Sequence, residues 1–344
     1  MTKNSYFTIL LALIVLVSAS CTRTQPREDI FDSGGDGYGM AQEQSDKDLQ
    51  SIAAALSRID PCGFVDVESI RSKFSNFLYY GYGAIPTTCA LVFAESGNPT
   101  GKGTITIRLR TDIDNTWDAS SWRDINVSDI ALKESTDSCA FYFPLNLGSE
   151  MHAPASTGAR KEYAKQYISI TNGVQSDEKC DATRAVAYAA AKVRNEKLPL
   201  LTGKQAGPSS IFTKDPCALY SHLTGFSRYG RNLQAFRSCS FYKEPDQRFN
   251  LAISLESIKT LDKSAQKEIR DGITLYLDPD YRLGAYRDCT IAVRMGDPIE
   301  PTAVNGSADP QLSKAWPLPV LLLSGSTNCE ENKNLALTAA KTFA

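Results

Sequence analysis

Apolar positions along this chain follow two periods, and the alternation between them repeats. Leu49, Ile52, Ala53 and Leu56 recur at helical spacing and predict a short amphipathic helix that Asp60-Pro61 interrupts. Short β-rich runs follow: Cys89 to Phe93, then the strictly alternating Thr104-Ile105-Thr106-Ile107-Arg108-Leu109, then Cys139 to Phe143 and Tyr167 to Ile170. Ala182, Ala185, Val186, Ala189, Ala190 and Val193 then return to helical spacing as one apolar face. The same succession occurs again: Cys239 to Tyr242, Asn250 to Leu255, Cys289 to Val293, Val320 to Leu323, and a closing helix with Leu335, Ala336, Ala339, Ala340 and Phe343 on one face. Each pass predicts four or five strands, with helical or irregular segments between the second and third. In the second pass Leu219, Leu223 and Phe226 mark the buried face of an opening helix.

The cysteines fix the register of this repeat. Asp60-Pro61-Cys62 returns as Asp215-Pro216-Cys217, and each triplet opens a frame of four cysteines. Cys62, Cys89, Cys139 and Cys180 are separated by 27, 50 and 41 positions; Cys217, Cys239, Cys289 and Cys329 by 22, 50 and 40. The triplet has a local logic: aspartate caps a helical turn, proline suits its first position, and the cysteine lies in that turn. The order helix, strands, helix predicts an α+β fold of two tandem homologous domains, each a mostly antiparallel sheet with helices on one face, stapled by disulfides. The boundaries read as 1–20 signal peptide, 21–47 flexible tether, 48–198 first domain, 199–210 linker and 211–344 second domain. At 344 residues the chain suits two domains of about 100–200 residues.

Nine cysteines point to an oxidising compartment, where eight pair within the two frames. Local pairing (Cys62 with Cys89, Cys139 with Cys180) closes the shorter loops, whereas nested pairing (Cys62 with Cys180, Cys89 with Cys139) clips two helices and two strands together. Both remain open, the repeat implying the same choice in each copy. The ninth, Cys21, follows Lys3, the apolar run Tyr6 to Val17 and Ser18-Ala19-Ser20, the layout of an export signal. Twelve apolar residues reach about 18 Å as a helix, short of a ~30 Å hydrocarbon core. The segment resembles a bacterial lipoprotein signal, which implies lipidation of Cys21, attachment to the outer face of the cell membrane and burial of acyl CH2 groups at ~0.8 kcal/mol each. Ser18 stands where such signals carry a leucine, and the same segment also suits cleavage after Ser20 and plain secretion. Thr22 to about Asp46 is polar and glycine-rich, as a tether requires.

An Asp-Pro-Cys opening, cysteines that start strands, and Cys180-Asp181-Ala182-Thr183-Arg184-Ala185 running to Leu198-Pro199 resemble a domain-of-unknown-function family of uncharacterised actinobacterial cell-envelope lipoproteins. The resemblance covers about 45–200 well and 212–344 less well, because the second copy has Cys329-Glu330-Glu331-Asn332 where the alanine should stand. It implies an envelope location and a disulfide-bonded fold, and it carries no catalytic residues. Members usually hold one such domain, so two in tandem depart from the pattern.

A net charge of −2 offers no basic excess for phosphate neutralisation, so nucleic acid is not an expected partner. The two histidines, His152 and His222, do not correspond between repeats, and His222 reads as a partly buried helix residue. No histidine triad, phosphate loop, dinucleotide fingerprint or Cys-x-x-Cys zinc spacing is present, and no catalytic, cofactor-binding or metal-ligating residue is assigned. Asp112, Asp114, Asn115 and Asp118 are oxygen-rich but lack the glycine and terminal glutamate of a calcium loop, and read as a solvated turn, as does Asp278-Pro279-Asp280. Phe77-Leu78-Tyr79-Tyr80-Gly81-Tyr82-Gly83 is the candidate binding surface: Tyr79, Tyr80 and Tyr82 on a glycine-loosened loop offer stacking area with polar tips, or else line the core. Trp117 and Trp122 are rim residues of that surface or core. The expected function is a non-enzymatic binding or accessory module for an envelope protein, glycan or lipid, presenting an exposed aromatic or apolar patch. The alternative is an exported histidine-independent hydrolase of envelope glycans, which requires convergent carboxylates in a pocket. A lipid carrier requires a large apolar cavity.

Overall fold

The computed structural model describes residues 37–95, 98–111, 121–127, 129–147, 156–172, 177–201, 210–231, 233–244, 247–264, 266–278, 289–304, 316–325 and 328–344. The signal segment, Cys21, the tether before Gly37, Asp112, Asp114, Asn115, Trp117, Asp118, His152, the 202–209 part of the linker, Pro279 and Asp280 lie outside them. The described residues, all of which fall within the Phe31–Ala344 unit, form one compact α+β body containing two antiparallel sheets.

Helix α1 (Gln44–Arg58) carries the predicted opening stripe, burying Ile52, Ala53 and Leu56, and gives way to extended backbone at Ile59 ahead of Asp60-Pro61. Each Asp-Pro-Cys triplet then winds a 3-10 turn, Pro61–Phe64 in the first half and Pro216–His222 in the second. Asp60 Oδ1 accepts from the Cys62 N–H at 2.9 Å, and Asp215 Oδ1 accepts from the Cys217 N–H at 2.9 Å. The second turn ends at Leu223, which is extended, so the expected opening helix there is a 3-10 turn with His222 exposed at its end. Leu219 is buried, while Leu223 and Phe226 pack half-buried against the second core.

The first sheet uses β1 (Phe77–Tyr82), β2 (Thr88–Glu95), β3 (Asn98–Arg110), β4 (Trp122–Val127), β5 (Ile130–Ser135), β6 (Ala140–Pro144) and β7 (Tyr167–Asn172). The second uses β8 (Arg228–Gly230), β9 (Ser238–Glu244), β10 (Gln247–Ser257), β11 (Gln266–Arg270), β12 (Ile273–Asp278), β13 (Thr290–Arg294) and β15 (Pro317–Ser324), with β14 (Thr302–Ala303) reserved for the first sheet. The order is β14-β1-β2-β3-β7-β6-β5-β4 in one and β8-β9-β10-β15-β13-β12-β11 in the other, so the strands follow the same path through both sheets. Among the described residues seven matched strands in each half, and β14 besides in the second, exceed the expected four or five. The additional ones are the hairpins β4-β5 and β11-β12, which stand where the sequence pattern predicts helical or irregular connections, and the first strands β1 and β8. Their alternation is broken by charge: β4 reads Trp-Arg-Asp-Ile-Asn-Val at a sheet edge, where one face meets water.

Helix α4 (Asp177–Glu196) lies on the first sheet and α6 (Cys329–Phe343) on the second; α2 (Val67–Arg71) and α3 (Thr157–Tyr163) are short additions to the first half. Ala187, Ala190 and Ala191 are wholly buried in α4, as is Ala339 in α6, and these small side chains bring helix and sheet into close contact. One expectation is corrected. Helices do not keep to one face of the second sheet: α5 (Ile258–Ser264) packs Leu261 against Ala292, Leu318, Val320 and Leu322, opposite the face where Ile253, Val293 and Leu321 meet the main core. Leu318, Val320 and Leu322 alternate with Leu321 and Leu323 in β15, so this strand is apolar on both faces because both are covered.

The halves interlock. β14, from the second half, pairs antiparallel with β1 (Tyr79 with Ala303, Tyr80 with Thr302), and Val304 N–H donates to Leu78 O at 2.9 Å. Leu233 and Phe236 belong to the first core, while Tyr38, Met40 and Tyr82 pack against the second. Gly81 permits the β14 contact, since a Cβ there would lie 3.0 Å from Pro301 Cα. G81V is therefore expected to cost about 1–3 kcal/mol through overpacking and to speed hydrogen exchange at Thr302–Val304 while the β2-β3 amides stay protected. Unchanged protection at Thr302–Val304 would remove β14 from this role.

Candidate functional site

The tyrosines singled out from sequence do not lie on a loop. Tyr79, Tyr80 and Tyr82 are half-buried in β1, which is hydrogen-bonded to β2 on one edge and β14 on the other. Aromatic residues suit strands, and the partner on the second edge comes from more than two hundred residues downstream, so the local sequence looked like an open aromatic surface. The Tyr80 ring lies 6.3 Å from that of Phe77, and the Tyr82 ring 5.5 Å from that of Phe212 in the second half. Trp122 does not join them: it sits in β4, at the far edge of the same sheet, with its ring 5.0 Å from Tyr142. The expected exposed apolar patch is also missing among the described residues, where Ile269 is the one large hydrophobic side chain that stands exposed.

What β1 builds is a polar seam. Tyr82 Oη donates to Asp60 Oδ1 at 3.1 Å. Burial pushes the Asp60 carboxyl above its ordinary value, against the opposing pull of the Cys62 and Gly63 N–H groups, the Tyr82 hydroxyl and the Arg237 charge. Burial and the nearby Asp60 charge together push the Tyr82 phenol far up. Arg237, just ahead of β9, is 6% exposed, and its Nη1 and Nη2 donate to Phe212 O at 2.6 Å and Ser57 O at 3.0 Å. Burial lowers its pKa to about 10, which leaves it charged at neutral pH. Asp215 is held differently: Arg231 Nη2 donates to its Oδ1 at 2.6 Å and Oδ2 at 2.5 Å, and Tyr38 Oη donates to Oδ2 at 2.6 Å.

Next to this seam a cleft of about 780 Å³ opens between the two halves. Its walls come from matching places in the two sheets. Ile107 faces Cys89 across β3 and β2 as Leu251 faces Cys239 across β10 and β9, which aligns Leu109 with Ile253 and Thr87 with Arg237. The backbone repeats the match: Leu109 N–H donates to Thr87 O and Ile253 N–H to Arg237 O, each at 2.9 Å. All four of these residues line the cleft. Arg108 and Arg110 enter from β3, on the face opposite core residues Ile107 and Leu109; Asn250, Ala252 and Ser254 enter from β10, opposite Leu251 and Ile253. Arg248 is exposed and braced, with Nε and Nη2 donating to Ser240 Oγ at 3.1 and 2.9 Å. Gly325 makes room for the backbone at Arg248 and Phe249. At φ 125° its backbone suits glycine, and a Cβ there would collide with the Arg248 carbonyl oxygen. Among the described lining residues four are arginines and none is Asp, Glu or His. Arg108 and Arg110, two positions apart in an alternating strand, are the one local signal that could have marked this face, and the strand pattern alone did not single them out; Arg237 and Arg248 meet them only through the packing of the halves.

A second concavity lies beside the Cys139–Cys180 pair, lined by Arg123, Glu134, Asp137, Asp181 and Arg184. Its buried acidic residue, Glu134, is already engaged. Glu134, 5% exposed, accepts from Arg184 Nε and Nη2 at 3.0 and 2.8 Å and from Arg123 Nε at 3.1 Å, with Arg184 Nη1 also reaching Asp181 at 2.9 Å. Burial alone would raise this carboxyl, but the hydrogen bonds and charges of Arg123 and Arg184 outweigh it and hold it below its ordinary value. It is thus a buried carboxylate and a poor general acid, which needs a raised value. Among the described residues no group of three or more His, Cys, Asp or Glu is arranged to hold a metal ion.

The eight frame cysteines meet in the local pattern: Cys62 with Cys89 and Cys139 with Cys180 at Cα separations of 5.0 Å, Cys217 with Cys239 at 5.1 Å, and Cys289 with Cys329 at 5.4 Å. These pairs fit an oxidising, extracytoplasmic compartment. No described helix is long and apolar enough to cross a membrane. No protein-family model, curated protein or solved structure matches the chain.

Glu134 yields a pH signature. Its folded pKa lies below the unfolded one, so the stability it contributes is present above 4.5, its ordinary value, and is lost as pH falls through the lower folded value. E134Q should cost about 1–2 kcal/mol at pH 7, allowing for the exposure of the arginines, and the gap to the parent should close in acid. Denaturant melts at pH 7 and pH 3 measure this, and an equal gap at both would contradict the assignment.

Proposed function

We propose that this protein is a non-enzymatic binding module of the bacterial cell envelope, anchored on the outer face of the cell membrane through lipid on Cys21, with the cleft between its halves as the ligand site. The observation that carries the reading is the construction of the cleft. Thr87 and Leu109 from one half oppose Arg237 and Ile253 from the other, at matching places in sheets of the same strand order. The matched strand paths and local cysteine pairs support a tandem duplication of one domain, and the resemblance of the Asp-Pro-Cys frame is the ground for relating that domain to the actinobacterial lipoprotein family. On that reading the ligand site is a product of the duplication, since one half alone supplies a single wall.

The hydrolase reading calls for a pocket with converging carboxylates, one of them raised. The described walls of the cleft hold no carboxylate, Glu134 is lowered by two arginines, and Asp60, which is raised, caps a turn. These observations favour binding over hydrolysis. Anchoring at Cys21 fits the export signal and the placement of the other eight cysteines in pairs.

Intact mass spectrometry of the native protein tests the anchor. The expected product begins at Cys21, carries diacylglycerol and stays with the membrane fraction, and C21S moves the protein to the soluble fraction. An unmodified Cys21 in a soluble product would overturn it.

A further inference from the structure

The walls of the cleft also specify what kind of molecule fills it, if the binding reading above is taken as the starting point. Arg108 and Arg248 are exposed at the cleft, Arg110 is half-buried with its guanidinium 6.0 Å from the Tyr167 ring centroid, and Arg237 is buried beneath. Arginines clustered in a low-dielectric concavity focus positive potential into it, although the chain as a whole carries −2. Guanidinium groups match phosphate and carboxylate in a two-pronged geometry that a lysine does not reproduce. The arginines are also partly fixed in advance: Ser240 Oγ holds Arg248 and the Tyr167 ring backs Arg110, which lowers the entropy lost when a ligand orders them.

Charge is half of the description. Ile85, Pro86, Phe236, Ala252 and Leu322 also line the cleft, with Ile85 and Ala252 half-exposed. A small inorganic anion would leave that surface wet, and a neutral lipid would forgo the two-pronged contacts that guanidinium groups offer to phosphate or carboxylate. We propose that the cleft takes an amphiphilic anion, a phosphate or carboxylate headgroup held by Arg108 and Arg248 with an apolar body laid along Ile85, Ala252 and Leu322. Arg237 contributes from below as a fixed charge. Its Nε–H has no hydrogen-bond partner among the described residues and is shielded from water, while the Asp60 carboxylate lies near enough to pull on its charge. Such a ligand has two sources in an envelope: a lipid still in its bilayer, or a soluble amphiphile.

Isothermal titration of the full mature chain carrying C21S, so that no acyl chain of its own competes, separates these possibilities. The probes are dodecyl phosphate as monomer, inorganic phosphate, dodecyl maltoside, and vesicles of phosphatidylcholine with or without phosphatidylglycerol. Dodecyl phosphate should bind more tightly than either inorganic phosphate or dodecyl maltoside. R108E and R248E should each weaken it by about tenfold, as loss of a charge-assisted contact implies. Melting profiles of both variants establish that loss of binding is read on folded protein, and R248K, which keeps the charge, provides a milder check. Vesicle binding that depends on phosphatidylglycerol and Arg108 identifies a bilayer headgroup; dodecyl phosphate binding without vesicle retention identifies a soluble amphiphile. Equal affinity for dodecyl maltoside overturns the anionic class while leaving the cleft a binding site. No binding of any probe by folded protein, or dodecyl phosphate affinity unchanged in R108E and R248E, overturns the inference, and neither result touches the membrane attachment tested through Cys21.

Discussion

Everything in this protein is hung from the capped and bridged Asp-Pro-Cys turn. An aspartate oxygen takes up the N–H of the cysteine two residues on, proline presets the first dihedral, and the cysteine meets the second strand of its sheet: Cys62 with Cys89 in β2, Cys217 with Cys239 in β9. The turn therefore cannot slide along the sheet. Within each half the second bridge ties the closing helix to the strand order, Cys139 with Cys180 and Cys289 with Cys329. Each bridge contributes about 2–4 kcal/mol by restricting the unfolded chain. With both ends of the element order tied, seven strands take the same path in each half despite weak local patterning in β4, β8 and β11.

The same turns also join the halves. Asp60 receives the hydroxyl of Tyr82, whose ring packs on Phe212; Arg237 from the second half donates to Ser57 O, at the end of α1 in the first. Burying a guanidinium is costly, and here two carbonyl acceptors and the field of Asp60 offset it. The cleft follows from this arrangement. Once Thr87 and Arg237 are fixed as corresponding residues at the junction, the outward faces of β3 and β10 stand on either side of one concavity.

The repeating elements were legible in the sequence because each carries its own period. The strands at Cys89, Thr104, Cys139 and Tyr167, their counterparts at Cys239, Asn250, Cys289 and Val320, and both alanine-faced closing helices stand where the pattern put them. What the pattern could not carry were relations between distant segments. The β1 tyrosines looked like an open surface because β14, which covers their edge, is two residues long and has no signal of its own. Helix α5 on the second face of its sheet was foreshadowed only by the unbroken apolar run of β15. The cleft was not legible: Arg108 and Arg110 alternate with Ile107 and Leu109 as any half-exposed strand would, and Arg237 and Arg248 reach the same space only through the junction of the halves.

The central claim is that two halves of one plan are each closed on themselves by local disulfides in an oxidising compartment. Peptide mapping of the exported protein without reduction tests it most directly. The account predicts four cross-linked pairs, Cys62–Cys89, Cys139–Cys180, Cys217–Cys239 and Cys289–Cys329, in material from outside the cytoplasm. Nested pairs such as Cys62–Cys180, any bridge between the halves, or free thiols at these positions would contradict it.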